Sequence, residues 1–181
     1  MQRRHFIGGV AAVSIAGLAG TAYVLAPRMP DVMYVQTELD AVARMLKLAE
    51  ATSKDIIYDL GCGDGRFVVM AARQFGARGV GIDIDAERIK EARDLAQRAD
   101  VAGRVRFIKE DLFSTDISEA TVVTLYLAPQ LNLRLRPKLI KELKPGARIV
   151  SYAFDMGDWK PEKSEIAGST PIYLWRIPLR G

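Results

Sequence analysis

Apolar positions along the chain follow two alternating rhythms. Short continuous runs at Ile56 to Asp59, Gly79 to Asp83, Arg104 to Lys109, Thr121 to Leu127 and Arg148 to Ala153 read as strands. The β-branched run from Thr121 to Leu127 is the kind expected of a strand buried on both faces. Between these runs, apolar residues recur at helical spacing. Leu39, Val42, Ala43, Leu46 and Ala49 form one such series, opened by Thr37 with Asp40 three residues on, a capping-box-like start. Arg66 to Phe75 forms a second helix, ended by Gly76, and Ala86 to Ala99 a third, with Ile89, Ala92, Leu95, Ala96 and Ala99 on its inner face. The helical residues that follow Pro129, as far as Leu143, are expected to restart at Pro137, because proline is tolerated in a first turn but not inside a helix. Lys144-Pro145-Gly146 makes a turn, and Ser164 to Ile177 holds two extended runs about Gly168-Ser169, a hairpin signal. The alternation predicts an α/β domain over residues 31 to 181, with right-handed crossovers and a terminal hairpin.

The chemistry concentrates where the first strand meets the second helix. The stretch IIYDLGCGDG, Ile56 to Gly65, places Asp59 before glycines at alternate positions, Gly61, Gly63 and Gly65. Such a loop lets a ligand approach the main chain without meeting a Cβ. Dinucleotide sites use G-x-G-x-x-G to seat a pyrophosphate on a helix N-terminus, whereas here the spacing is G-x-G-x-G. A carboxylate at Asp59 would repel a phosphate but attract the cationic amino group of an amino-acid-like cofactor. The next strand, VGIDID, carries Asp83 about 20 residues beyond the loop, where a carboxylate can bond ribose hydroxyls.

Strand, DxGxGxG loop, helix, strand and acid in this order resemble the S-adenosylmethionine (SAM) site of class I methyltransferases. The resemblance implies a Rossmann-like seven-stranded sheet with helices on both faces. It implies that Asp59, Gly61, Gly63, Gly65 and Asp83 hold the cofactor, with Asp111 capping the adenine amino group and Leu112 packing on the ring. Tyr34-Val35-Gln36-Thr37 resembles the segment that folds over the cofactor in related enzymes, which adds Tyr34 and Thr37 to the cofactor-binding set; a plain helix cap is the other reading.

Composition narrows the alternatives. The single histidine, His5, and single cysteine, Cys62, exclude a disulfide framework, a Cys/His zinc site and a Ser-His-Asp triad, so no metal is expected. Cys62 reads as a small residue filling the loop. Of the 26 basic residues, Arg3, Arg4 and Arg28 lie in the first thirty positions, which contain no acid; 23 then face the 22 acids. That near balance gives no reason to expect nucleic acid. Arg134, Arg136, Lys138, Lys141 and Lys144 cluster, but on a helix they read as a solvated face.

Phe6 to Ala26 is uncharged, and as a helix it would span about 31 Å, close to the roughly 30 Å thickness of a bilayer's hydrocarbon core. An N-terminal apolar membrane anchor is therefore expected, followed by a linker at Pro27 to Pro30. Arg3-Arg4-His5-Phe6-Ile7 also resembles a twin-arginine export signal, with Gly20-Thr21-Ala22 as a small-residue cleavage site. The positive-inside rule would send the domain across the membrane, whereas SAM is a cytosolic metabolite. The expectation is a membrane-attached protein with a cytosol-facing domain, export being the alternative.

The stretch from Thr124 to Trp159, with YVQT, DLGCGDGR and the closing IYLWRIP, resembles a family of small, often membrane-anchored protein-lysine methyltransferases whose mitochondrial members modify the ATP synthase c-subunit and the adenine nucleotide translocase. The implied acceptor is a lysine of a membrane-embedded protein. The twin-arginine start departs from the family pattern, which bears on location rather than chemistry. Tyr126, Asn132, Tyr152, Phe154, Asp155 and Trp159 lie on or near strand ends that should face the acceptor, and Tyr126 and Asp155 are the candidate catalytic residues. The alternatives are a methyltransferase of RNA or of a small molecule, and a non-catalytic SAM-binding membrane protein.

Overall fold

The computed structural model describes residues 37–179. Tyr34 and the apolar stretch from Phe6 to Ala26, with its expected anchor, lie outside the described residues. Among the described residues no helix is long and apolar enough to cross a membrane.

The elements run α1 (Leu39–Leu48), β1 (Ile56–Leu60), α2 (Arg66–Phe75), β2 (Arg78–Asp83), α3 (Ala86–Arg98), β3 (Val105–Lys109), β4 (Val122–Leu125), α4 (Pro129–Glu142), β5 (Arg148–Tyr152), β6 (Lys163–Ala167) and β7 (Thr170–Arg176). They build one seven-stranded sheet in the order β3-β2-β1-β4-β5-β7-β6. The strands from β3 across to β5 are parallel; β7 pairs antiparallel with β5 and with β6. The terminal hairpin therefore inserts its second strand beside β5.

Period-two alternation along each strand divides the core between two faces of the sheet. Tyr58, Leu60, Val123, Leu125 and Ile149 pack with Leu135, Leu139 and Leu143 of α4 and its C-terminal end. Ile57, Val122 and Val150 point the other way, onto Val42, Met45 and Leu46 of α1 and Phe67 and Ala71 of α2. Helix α3 joins that second face through Ile89, Ala92 and Ala96, against Val68 and Phe107. Leu135, Leu139 and Leu143 recur every four residues and are fully buried; each contributes roughly 1.5–3 kcal/mol by leaving water.

Two helix boundaries differ from the sequence expectation. Helix α4 does not restart at Pro137 but runs through it as a single element. Proline removes one backbone N–H, and the carbonyl this leaves, four residues earlier, belongs to Leu133. Leu133 is itself exposed, so solvent can serve that carbonyl and the helix continues. Thr37 is not the cap of α1: the N-cap is Glu38, which makes no side-chain cap bond, and Thr37 is buried instead. Helix α3 does begin on a true cap, the Asp85 carboxylate accepting from Glu87 N–H at 2.8 Å.

At the other end of the sheet from the glycine loop, Asp55 locks the starts of β1, β4 and β5 together. It accepts from Thr121 Oγ1 at 2.7 Å and from Thr52 N at 2.7 Å, and pairs with the Arg148 guanidinium. Arg148 Nη1 also donates to the Ala49 carbonyl at 2.8 Å, which ties in the end of α1. Burial alone would raise the Asp55 carboxyl, but the Thr121 and Thr52 hydrogen bonds and the Arg148 charge together hold it below its ordinary value.

Candidate active site

Strand order reverses between β1 and β4, and a parallel sheet opens a crevice beyond the carboxyl ends of its strands at such a point. The glycine loop lies there. Gly61 N and Cys62 N both donate to the Ile82 carbonyl, at 2.8 and 2.9 Å, which pins the loop to the end of β2. Gly61 and Gly65 have φ of +80° and +79°, where a side chain is strained. A Cβ on Gly61 would stand 2.8 Å from Leu127 Cδ2, and one on Gly65 would stand 2.6 Å from Phe107 Cε1. At these two positions the loop must therefore be glycine.

Asp83 belongs to the same unit. One carboxylate oxygen accepts from Gly63 N at 2.9 Å and the other from Asp85 N at 3.0 Å. The backbone thus orients both oxygens while each keeps a lone pair for a ligand hydroxyl. Asp59 is almost fully buried beneath the loop, with Oδ1 accepting from Thr124 Oγ1 at 2.7 Å. Its Oδ2 is buried with no protein partner. Burial pushes this carboxyl up to about 7, against the lowering effect of Thr124, and the charges of Asp83 and Asp64 raise it further. A carboxylate among like charges favours a cation nearby, which suits the ammonium of an amino-acid-like cofactor and is wrong for a pyrophosphate.

Sequence reasoning missed several residues of the site. Thr124, inside a run of buried strand residues, supplies the donor to Asp59. Asp64 and Arg66 form a partly buried ion pair at 2.5 Å, and Arg66 Nη1 donates to the Thr37 carbonyl at 2.6 Å. Thr37 thereby joins the loop through its main chain, next to the start of α1. Asp64 directly after Gly63 and Arg66 directly after Gly65 were the available clue.

Asp111 and Leu112 follow β3 along the same edge of the sheet, both half-buried. Asp111 Oδ1 accepts from Phe113 N at 3.0 Å, so the carboxylate shapes its own turn, while Leu112 packs on the main core. Cys62 is buried, and burial, with Asp59 and Asp83 nearby, pushes its thiol well above the ordinary value. An inert thiol of this kind is filler, as the sequence suggests.

The residues expected on the acceptor side come from the ends of β4 and β5, the loop after β5 and the first turn of α4. Tyr126 and Tyr152 meet edge to face, ring centroids 4.8 Å apart at 85°. Burial, then Tyr152, raises the Tyr126 phenol, which stays protonated near neutrality. Asn132 is fully buried; its Nδ2 donates to Ser151 Oγ at 3.1 Å, Phe154 O at 3.2 Å and Asp155 O at 3.4 Å. It clamps the loop after β5, in which Ala153 has φ +68°, a left-handed conformation unusual for a residue with a side chain. Asp155 itself is exposed, one carboxylate oxygen accepting from Gly157 N at 3.0 Å. Trp159 belongs to the hairpin support rather than to this wall: its carbonyl accepts from Trp175 Nε1 at 2.7 Å and the two rings pack at 6.1 Å.

Residues 59–163 match the family model of the ANTKMT methyltransferase domain, more than half of the chain and every element from the end of β1 to the start of β6. The chain belongs to this methyltransferase family. Among its relatives, a protein-lysine N-methyltransferase of Saccharolobus islandicus is 47% identical over 136 residues, 75% of this chain and 84% of that protein. A human lysine N-methyltransferase named for the ATP synthase c-subunit is 29% identical, over 81% of this chain but 61% of its own length. The structure of an RNA methyltransferase from Salinibacter ruber in complex with S-adenosyl-L-homocysteine superposes with a TM-score of 0.80 at 51% identity, covering 81% of this chain and 95% of that one. The cofactor of this methyltransferase is SAM, and Asp59 with its orphaned oxygen, Asp83 and the bare loop are suited to its ammonium and ribose. Among the described residues no His, Cys, Asp and Glu cluster could hold a metal ion.

Proposed function

We propose that this methyltransferase modifies the ε-amino group of a lysine in a membrane protein, its domain facing the cytosol and held at the membrane by the apolar segment from Phe6 to Ala26. The observation that carries the lysine reading is the likeness to the Saccharolobus protein-lysine N-methyltransferase over nearly the whole domain. Relatives named for lysines of the ATP synthase c-subunit and of the adenine nucleotide translocase support it.

Bound SAM supplies a methyl group on a sulfonium. Asp59 and Asp83 hold its amino-acid and ribose ends, and Asp111 and Leu112 take its adenine. The protein's remaining task is alignment and exclusion of water. A lysine amine must be neutral to attack, and a partly desolvated aromatic wall at Tyr126 and Tyr152 lowers the amine's pKa. Tyr126 contacts the acceptor there. Asp155, on the exposed loop that follows, offers a carboxylate to the incoming ammonium.

An RNA acceptor is the second reading, favoured by the name of the Salinibacter neighbour alone. Comparing membrane proteins by mass spectrometry from cells with and without the enzyme separates the two. Loss of methyl-lysine from a membrane protein is the expected result; methyl groups lost only from RNA would overturn the lysine reading.

A further inference from the structure

Helix α4 begins beside the acceptor wall and presents an outward face that the described residues leave uncovered. Leu133, Pro137 and Ile140 succeed one another at spacings of four and three, which places them on one stripe. Leu133 and Ile140 are 47% and 43% exposed, two of the few large apolar side chains left in water among the described residues. Two exposed cations of the helix flank the stripe, Arg134, whose guanidinium lies 3.7 Å over the Phe113 ring, and Lys141; a third, Lys144, lies just past the helix end.

Cations outnumber acids along this helix. The one acid within α4, Glu142, holds Lys138 at 2.8 Å, and Asp158 from the loop after β5 pairs with Arg136. An apolar strip edged by cations matches the boundary between anionic headgroups and acyl chains. A basic concavity at the starts of β2 and β3, with Arg78, Arg104 and Arg106, lacks any large exposed apolar residue, and its Arg106 lies 3.9 Å from Glu119.

We infer that the outer face of α4 is a docking surface for an anionic phospholipid bilayer, set against it through Leu133, Pro137 and Ile140 and held by Arg134, Lys141 and Lys144. The inference rests on the membrane-substrate reading and adds a contact to it: the surface would orient the acceptor wall, whose clamp Asn132 lies on the same helix, towards a substrate emerging from the bilayer. It is separate from the N-terminal apolar segment, which would restrain distance but not orientation.

The test uses the full chain carrying Ile140→Cys with a nitroxide label, Cys62 being buried and unreactive. On phosphatidylglycerol vesicles the label should shift from water-like to membrane-like, gaining oxygen and losing nickel-chelate accessibility. It should stay water-like on phosphatidylcholine. Adding Lys141→Gln and Lys144→Gln should lower the ratio of membrane-like to water-like label at a fixed anionic lipid content, roughly fivefold for each cation lost. A label that stays in water on anionic vesicles, or is buried without lipid by a second copy or an acidic protein, would overturn the proposal. Lysine methylation scored in parallel on the same proteins is a separate readout, so a failed docking surface would be distinguished from a failed enzymatic assignment.

Discussion

Thr124 Oγ1 lies 2.7 Å from Asp59 Oδ1, across the paired strands β4 and β1, and that bond turns the carboxylate so that Oδ2 is the buried oxygen left without a protein partner. A purely structural carboxylate in so dry a place would have both oxygens satisfied. Because the carboxyl is pushed up to about 7, cofactor affinity should rise as pH increases from 6 to 8, the deprotonated form being the one that pairs with an ammonium. Calorimetric titration with SAM checks this, and Asp59→Asn should both weaken binding and flatten the profile.

The same raised value has a signed consequence for stability. Between the ordinary value of 3.8 and about 7 the folded chain binds a proton at Asp59 that the unfolded chain does not, so this residue makes the cofactor-free protein less stable as pH rises through that window. Above about 7 its contribution is flat. Thermal melting of Asp59→Asn against the parent, from pH 5 to 8, should show a gap widening in favour of the variant with rising pH.

Asp55 behaves in the opposite sense. Its carboxyl is held below the ordinary value, so its stabilisation is present above the unfolded pKa and lost as pH falls through the folded one. Arg148→Met should cost about 1–3 kcal/mol, because Asp55 loses its ion-pair partner but keeps its Thr52 and Thr121 hydrogen bonds. Urea unfolding at neutral pH reads that loss, and the variant's difference from the parent should shrink on acidification.

Asp83 serves ligand and loop together. Asp83→Ala should weaken SAM binding by roughly 1–3 kcal/mol through unpaired polar groups, and also free Gly63 N and Asp85 N. Calorimetry gives the first effect, and faster amide exchange at Gly63 gives the second.

Asn132 should separate acceptor from cofactor. Asn132→Ala removes the donor that holds the Phe154 and Asp155 carbonyls beside Tyr152. Expected are a raised KM for the acceptor, SAM affinity within about twofold of the parent, and a stability loss of about 1–3 kcal/mol. Steady-state kinetics with varied acceptor and varied SAM make the comparison.

The main-chain frame of the candidate cofactor site was legible because backbone geometry demands particular residues there: alternate glycines where φ is positive, and acids near strand ends. The acceptor half was less so, because its shape comes from contacts between distant segments, such as Tyr126 against Tyr152 and Asn132 under the loop after β5. Strand alternation foretold the sheet, yet the path of α4 through Pro137 depended on the exposure of Leu133, a tertiary fact. Thr37 looked like a helix cap in sequence and serves instead through its carbonyl, held by Arg66.

Methyl transfer to lysine is tested most directly by incubating the purified full chain with methyl-labelled SAM and a membrane fraction containing both protein and RNA, then hydrolysing each and separating the products. Label in methyl-lysine from protein, abolished by Asp83→Ala, is the expected result; label confined to nucleosides, or no transfer at all from a chain that binds SAM, would contradict it.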